Sequence, residues 1–241
     1  MKNTILILVF ITCGISLSTA QNASQVTLHL GSDAPAFVAQ STQGKITFPD
    51  DYFAKWKIIF SHPADFTPVC TSEIMGLAAI QEDFKKLNTA IIVVSTDGIN
   101  SHLEWINSME SINYNGLGPV KINFPLIADI GYDVARKYGM VRADTLDRHA
   151  IRSVFIIDPE NKIRAMFYYP DYVGRNIEEI KRTLIALQMN EKNDVLTPAN
   201  WKPGDEVLMR SPKTMADADK LKAKEDPALH MVTWYMWFRK M

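Results

Sequence analysis

The chain has 241 residues, with 26 Lys and Arg against 27 Asp and Glu, so its formal net charge at pH 7 is −1. Hydrophobic residues make up 47% and charged residues 22%, which is typical of a folded globular protein and excludes collagen-like, coiled-coil and low-complexity chains. Because the charge is balanced and no block of basic residues occurs, we expect no nucleic-acid partner and no attraction to an anionic membrane.

The N-terminus has the pattern of a secretory signal peptide over residues 1–20. One lysine precedes an apolar run, and the small residues Ser18 and Ala20 predict cleavage after Ala20. A membrane anchor is the alternative, but the run is shorter than the roughly 20 residues of a spanning helix, so no stable insertion is expected after processing. A lipoprotein signal ending at Cys13 is a further alternative. The prediction is therefore an exported protein, either periplasmic or secreted.

Hydrophobic periodicity then predicts alternating strands and helices. The predicted strands, in chain order, cover residues 26–30, 57–60, 90–94, 154–157 and 163–169. The predicted helices lie over residues 74–87, 98–110, 132–138 and 177–187. This order predicts an α/β domain with a mixed sheet over residues 26–190, followed by a small C-terminal unit over residues 191–241.

Removal of residues 1–20 would leave Cys70 as the one cysteine of the chain. A single cysteine in an exported protein indicates a reactive thiol or intermolecular pairing, although a buried, inert thiol is the commoner case. Thr67 and Pro68 form a helix-start signal, which places Cys70 in the first turn of a helix. The free N–H groups of that turn favour a thiolate, and the Thr67 hydroxyl is expected to touch the sulfur.

A helix terminus alone does not ionise a thiol. Lowering the pKa of a thiol from about 8.5 to about 6 takes about 3.4 kcal/mol, whereas a helix N-terminus supplies about 0.3–1 kcal/mol, or up to about 2 when partly buried. A nearby cation is therefore expected as well. Spacing does not choose among four candidates, which are Arg142, Arg148, Arg152 and Arg175.

The segment SHPADFTPVCTSE, residues 61–73, resembles the active-site loop of the peroxiredoxins. The family signature Pro-x-x-x-Thr/Ser-x-x-Cys is met by Pro63, Thr67 and Cys70, and the fuller string is similar to the 1-Cys, peroxiredoxin-6-like branch. The resemblance extends over about residues 26–212. Its further matches lie at residues 97–98, 102, 105, 124–129, 151–155, 169–176 and 197–205.

The resemblance implies a thioredoxin-like fold and a thiol-specific peroxidase that reduces hydrogen peroxide and organic hydroperoxides. Cys70 would be the peroxidatic nucleophile, which attacks the O–O bond and becomes a sulfenic acid. Arg152 would stabilise the thiolate and hold the peroxide oxygens, Thr67 would hydrogen-bond substrate and sulfur, and Pro63 would shield the pocket from water. The residues implied to support this site are Arg175, Glu73 and His62.

The resemblance and the cysteine count also imply partners. With no second cysteine in the processed chain, an external thiol, or Cys70 of another subunit, would have to react with the sulfenic acid. The C-terminal unit of the branch implies a homodimer. No metal or other cofactor is expected, because the five histidines are scattered without the spacing of metal ligands.

Some animal members of the branch carry a phospholipase motif, and this chain departs from it. Residues 53–57 read FAKWK and lack the serine, while Pro49 stands where the histidine would be, so no phospholipase activity is expected. Two other functions compete with the peroxidase. A thiol–disulfide oxidoreductase would need a Cys-x-x-Cys pair, and a holdase-like or structural oligomer would not need the set of Pro63, Thr67, Cys70 and Arg152.

Overall fold

The computed structural model describes residues 27–141 and 149–241. The predicted signal peptide, Cys13, Arg142 and Arg148 lie outside these residues. Within the described part of the chain, no helix is long and apolar enough to span a membrane.

The larger unit is built on a seven-stranded mixed sheet, with strand order β2-β1-β5-β4-β3-β6-β7. Strands β3, β4 and β5 are parallel, and the other neighbours pair antiparallel. The strands are β1 (Phe37–Ser41), β2 (Gly44–Phe48), β3 (Trp56–Ser61), β4 (Thr89–Ser95), β5 (Leu126–Ala128), β6 (Arg152–Ile157) and β7 (Ile163–Tyr169). The predicted mixed sheet is confirmed, and the strands predicted over residues 154–157 and 163–169 correspond to β6 and β7, which form a hairpin.

Helices cover the sheet, and a hydrophobic core lies on each of its faces. Along β3, Ile58 and Phe60 belong to one core and Ile59 to the other, because successive side chains of a strand point to opposite faces. The helices are α1 (Pro68–Ala79), α2 (Gln81–Lys86), α3 (Ile99–Ser111), α4 (Asp133–Lys137) and α5 (Ile177–Asn193). The single helix predicted over residues 74–87 is in fact two helices, since the backbone leaves helical geometry at Ile80 (φ −118°, ψ 15°).

At the N-terminal side of the domain one predicted strand is wrong and one pair of strands was not predicted. Residues 27–30 form no strand; the chain turns at Gly31 (φ +89°), whose N–H donates to the Ile163 carbonyl at 2.7 Å. The first strands are instead β1 and β2, which the periodicity does not predict. Their turn depends on Gly44 at φ +98°, whose carbonyl accepts a hydrogen bond from the Ser41 hydroxyl at 2.7 Å.

The C-terminal unit contains a second, three-stranded sheet of order β8-β10-β9. Trp201 is its buried centre, since it packs with Val195 and Val207 and its Nε1 donates to the Asp205 carbonyl at 3.1 Å. The predicted domain limits at residues 26, 190 and 241 stay predictions. The elements are β8 (Val207–Leu208), α6 (Met215–Lys222), β9 (Leu229–Thr233) and β10 (Met236–Arg239).

Candidate active site

Cys70 lies in the first turn of α1, as the sequence predicts. Thr67 is the N-cap in an extended conformation (φ −102°, ψ 145°) and Pro68 is the first helical residue, so Cys70 is the third. The Thr67 hydroxyl donates to the Ala64 carbonyl at 2.9 Å and caps no helical N–H. Its proton is therefore directed to the backbone. The sequence predicts, instead, that this hydroxyl touches the Cys70 sulfur.

The Cys70 sulfur is buried and has a cationic partner. The side chain has 0% exposure, and Arg152 Nη1 donates to Sγ at 3.5 Å. Arg152 is itself buried and is the first residue of β6, the strand next to β3 in the sheet. The contact places a fixed positive charge against the sulfur, and the thiolate is the nucleophilic form of cysteine. The structure thus selects Arg152 among the arginine candidates that it describes.

Glu73, one turn after Cys70, joins two arginines. Its Oε2 accepts a short hydrogen bond from Arg152 Nη1 and a second from Arg175 Nη2 at 2.7 Å. Its Oε1 accepts from the backbone N–H of Arg175 at 2.7 Å and from its Nε at 2.9 Å. All three charged side chains are buried. Together, Glu73, Arg152 and Arg175 carry one excess positive charge. A Cys70 thiolate would neutralise it. This neutralisation would be stabilising, because an unpaired buried charge is costly.

Arg175 holds neighbouring elements together and makes no hydrogen bond to the sulfur. Its Nη1 donates to the carbonyls of Ser61 and Ser153 at 2.7 and 2.8 Å, and its guanidinium carbon lies 3.4 Å from the centroid of the Phe60 ring. Burial lowers the pKa of Arg175 to about 10, against the opposing effect of Glu73. Arg175 is therefore charged at neutral pH and ties the ends of β3 and β6 to α1.

Arg152 has hydrogen-bonding capacity left for a ligand. Its Nη2 donates to the Asp171 carbonyl at 2.7 Å, whereas its buried Nε has no partner among the described residues. A pocket of about 270 Å³ is lined by Arg152 together with Pro63, Ile151 and Tyr169, among others, but not by Cys70. Since the sulfur has no exposure and does not line this pocket, the pocket brings a ligand to Arg152 and not to the sulfur in this conformation.

His62 is buried beside this site but is hydrogen-bonded elsewhere. Its Nε2 contacts Asp65 Oδ1 at 2.9 Å, and Asp65 Oδ2 contacts His102 Nδ1 at 2.8 Å. Sequence reasoning missed Asp65 and His102, although Asp65 lies inside the 61–73 motif. No sequence pattern predicts the contact between Asp65 and His102, because 37 positions separate them.

One cluster among the described residues has the composition of a metal site. The ligand atoms of His62, Asp65 and Asp97 lie within 4.8 Å of one another. Asp97 Oδ2 accepts from the Ser95 hydroxyl at 2.8 Å and from the Asp65 backbone N–H at 3.0 Å. Hydrogen bonds within the protein therefore occupy these oxygens, and the expectation of no metal stays a prediction.

Comparison with known families gives two matches along the chain. The sequence profile of the AhpC/TSA family matches residues 30–166. The profile of the C-terminal domain of 1-Cys peroxiredoxin matches residues 186–222. The two matches cover the seven-stranded sheet up to β7 and part of the C-terminal unit.

Individual relatives agree with these profiles. A peroxiredoxin of Methanosarcina mazei is 49% identical over 212 residues, which are 88% of this chain and 97% of the relative. A solved structure of a yeast mitochondrial 1-Cys peroxiredoxin, described in terms of thiol resolution via glutathione/thioredoxin systems, has a TM-score of 0.77 at 37% identity and covers 89% of this chain and 100% of its own. A variant of peroxiredoxin 6 of Arenicola marina has a TM-score of 0.76 at 33% identity, with 89% of this chain and 98% of its own covered.

The buried charges around Glu73 predict a large effect on stability. In Glu73→Gln two guanidiniums remain buried without their shared carboxylate, so the free energy of unfolding should fall by about 3–5 kcal/mol. The control is Glu179→Gln, which removes a carboxylate that pairs with Arg182 at the surface (2.6 Å) and should change stability by less than about 1 kcal/mol. Urea denaturation measures both, and equal losses in the two variants would contradict the assignment.

Proposed function

The chain belongs to the peroxiredoxins of the AhpC/TSA family, with their thioredoxin-like fold and thiol-dependent peroxidase activity, and we propose that Cys70 is its peroxidatic residue. One observation carries this assignment. The sulfur of Cys70 is buried in the first turn of α1 at 3.5 Å from the guanidinium of Arg152. A structural or holdase-like role provides no reason to bury three charged side chains around one thiol.

In the proposed reaction the Cys70 thiolate attacks one oxygen of a hydroperoxide. The S–O bond forms while the O–O bond breaks, and its electron pair leaves on the second oxygen, which takes a proton and departs as water or an alcohol. The cysteine is oxidised to a sulfenic acid and the peroxide is reduced. Negative charge moves from sulfur to the leaving oxygen, so fixed donors of Arg152 stabilise the transition state without reorganisation. The unpartnered Nε is one donor of Arg152 that remains for this oxygen.

Pro63 and Thr67 have distinct parts in this proposal. Pro63 lines the pocket beside Arg152 and, having no N–H, offers no competing donor to the substrate. The Thr67 hydroxyl proton is directed to the Ala64 carbonyl, so the lone pairs of this oxygen are the part that would accept a hydrogen bond from the peroxide. Glu73 and Arg175 position Arg152, whereas His62 belongs to the neighbouring hydrogen-bonded cluster.

The sulfenic acid must then be reduced by a thiol from another molecule. Cys70 is the one cysteine in the part of the chain that the structure describes, and Cys13 would be removed with a signal peptide. An external thiol would attack the sulfenic sulfur and release water to form a mixed disulfide, which a second thiol would reduce. The yeast 1-Cys relative is described as using the glutathione and thioredoxin systems. We propose the same chemical class, low-molecular-weight or protein thiols, for this chain.

Stopped-flow oxidation of the reduced protein by hydrogen peroxide and by an organic hydroperoxide tests the assignment. Wild-type protein should react many orders of magnitude faster than a free thiol, and Cys70→Ser should not react. Arg152→Ala should be slower by about 10²- to 10³-fold, the effect of removing one donor to a developing oxyanion. Arg210→Ala is the control, because Arg210 pairs with Asp194 at the surface. A wild-type rate no better than that of a small thiol would contradict the assignment.

We further propose that the chain is exported after cleavage following Ala20. The proposal rests on the signal-peptide pattern of residues 1–20. Mass spectrometry of the protein purified from its native source should find Gln21 at the N-terminus. An N-terminus at Met1 would overturn the proposal, and a lipid-modified Cys13 would establish the lipoprotein alternative.

We also propose a homodimer that uses the C-terminal unit. The hairpin of β9 and β10 exposes Val232, Trp234 and Tyr235 by 64%, 60% and 52%, and such neighbouring apolar side chains mark contact surfaces. Sedimentation equilibrium should give a dimer that Trp234→Lys weakens. A wild-type protein that is monomeric at micromolar concentration would contradict the proposal.

A further inference from the structure

Two serines at the active-site end of the sheet have hydroxyl groups that the proposed reaction leaves without a role. Ser61 is the last residue of β3, and Ser153 is the second residue of β6. Both side chains are fully buried. Ser153 follows Arg152 directly, and Arg152 donates to the Cys70 sulfur at 3.5 Å. The two hydroxyls therefore lie against the backbone that carries the cation of the site.

The backbone pairing of β3 with β6 ends just before these serines. Its last pair is Phe60 opposite Val154, and the next pair in the same register would be Ser61 opposite Ser153. The start of β6 thus extends beyond the paired part of β3. Backbone N–H and carbonyl groups that are buried at such a point need other partners, because leaving them unpaired is costly.

The side chain of Ser61 supplies these partners. Its hydroxyl donates a short hydrogen bond to the Ile151 carbonyl, and its oxygen accepts from the Ser153 backbone N–H at 3.1 Å. The two hydroxyl oxygens lie 2.8 Å apart. Since the proton of Ser61 is directed to the carbonyl, the Ser153 hydroxyl is the donor between them. The single donor and both acceptor positions of the Ser61 hydroxyl are therefore used.

These hydrogen bonds hold the chain on both sides of Arg152. One holds the preceding residue, Ile151, and two hold the following residue, Ser153. Arg175 Nη1 adds to this by joining the carbonyls of Ser61 and Ser153 at 2.7 and 2.8 Å. The Cα of Arg152 is thus fixed, and its guanidinium depends on that Cα for its place. A displacement of about 1 Å near a reacting group can slow a reaction about a hundredfold.

We propose that Ser61 is a positioning residue of the peroxidase: its hydroxyl replaces a backbone pair between β3 and β6 and fixes the peptide units on both sides of Arg152. The inference rests on the assignment of Cys70 as the peroxidatic residue. Ser61 acts through Arg152, whose donors must meet the leaving oxygen of the peroxide in the transition state. Glu73 holds the guanidinium end of this side chain, and Ser61 holds its backbone end.

Ser61→Ala removes the hydroxyl and leaves the Ile151 carbonyl and the Ser153 N–H without their partner. Stopped-flow oxidation of Cys70 by hydrogen peroxide should become slower by about tenfold to a hundredfold. Alkylation of Cys70 by iodoacetamide should change by no more than a few-fold, because it needs no donor for a leaving oxygen. The ratio of the two rates therefore separates a displaced Arg152 from a general loosening of the fold, which would change both rates together.

Ser41→Ala is the matched control. Ser41 is also a buried serine at the end of a strand, and its hydroxyl donates to the Gly44 carbonyl at 2.7 Å and accepts from the Gln43 N–H at 3.1 Å. These hydrogen bonds lie in the turn between β1 and β2, and β5 and β4 separate β1 from β3 in the sheet. This variant loses comparable hydrogen bonds, so its rate ratio should stay that of the wild-type protein.

Ser61→Thr tests rescue by a side chain that keeps the hydroxyl. Threonine is well suited to a strand, and this variant should keep the wild-type rate ratio. If Ser61→Ala does not fold, Ser61→Thr decides between the outcomes. A ratio near that of wild type then supports the positioning role, and a ratio lower by about tenfold in the folded variant overturns it.

Three other results overturn the positioning role. They are a wild-type ratio in Ser61→Ala, parallel changes of oxidation and alkylation in that variant, and an equal loss of the ratio in Ser41→Ala. A failure of the assignment of Cys70 has a different signature. In that case the wild-type protein itself reacts with peroxide no faster than a small thiol, and the role of Ser61 falls together with the assignment.

Discussion

The buried carboxylate of Glu73 is the group on which the rest of the site depends. It accepts hydrogen bonds from Arg152 on β6 and from Arg175 in the loop after β7, while its own helix carries Cys70. Two guanidiniums buried side by side would repel each other without this carboxylate between them. With it, one positive charge remains in excess, and that charge faces the sulfur. The same arrangement that orders the arginines therefore favours the anionic nucleophile.

The fold explains why these groups meet. Strands β3 and β6 are antiparallel neighbours, so the end of β3 at Ser61 lies beside the start of β6 at Arg152 and Ser153. Arg175 binds carbonyls of both strands, and α1 begins a few residues after β3 ends. The nucleophile and its cation thus come from elements whose register the sheet already fixes.

Much of this could be predicted from the sequence, because the relevant signals are local. Buried strands such as β3 and β4 are continuous apolar runs, and Thr67-Pro68 marks the start of α1 three residues ahead of Cys70. The hairpin of β1 and β2 could not be predicted because its strands are short and mix polar with apolar residues. Residues 27–30 have the alternating pattern of a strand, but the chain turns at Gly31 and no strand forms.

The side chains that contact Cys70 and its neighbours are distant in the sequence, so these contacts could not be predicted from it. Spacing did not choose among four arginines, since the contact of Arg152 with Cys70 spans 82 positions and depends on the pairing of β3 with β6. The same holds for the contact of His102 with Asp65, which joins α3 to the loop before α1 across 37 positions. Motif resemblance named Glu73 and Arg175 as supporting residues, but only the structure shows that one carboxylate joins both arginines.

Glu73 does more than help to form a reactive thiolate, because it also places Arg152 for the transition state. The most direct test measures two rates of Cys70, its oxidation by hydrogen peroxide and its alkylation by iodoacetamide. The ratio of these rates is compared between wild type and Glu73→Gln. Alkylation needs the thiolate but no donor for a leaving oxygen, so the alkylation rate of Glu73→Gln should differ from that of wild type by no more than a few-fold. Peroxide oxidation should fall by about a hundredfold, because a displaced Arg152 no longer meets that oxygen. Parallel changes in the two rates, or no change in either, would contradict the account.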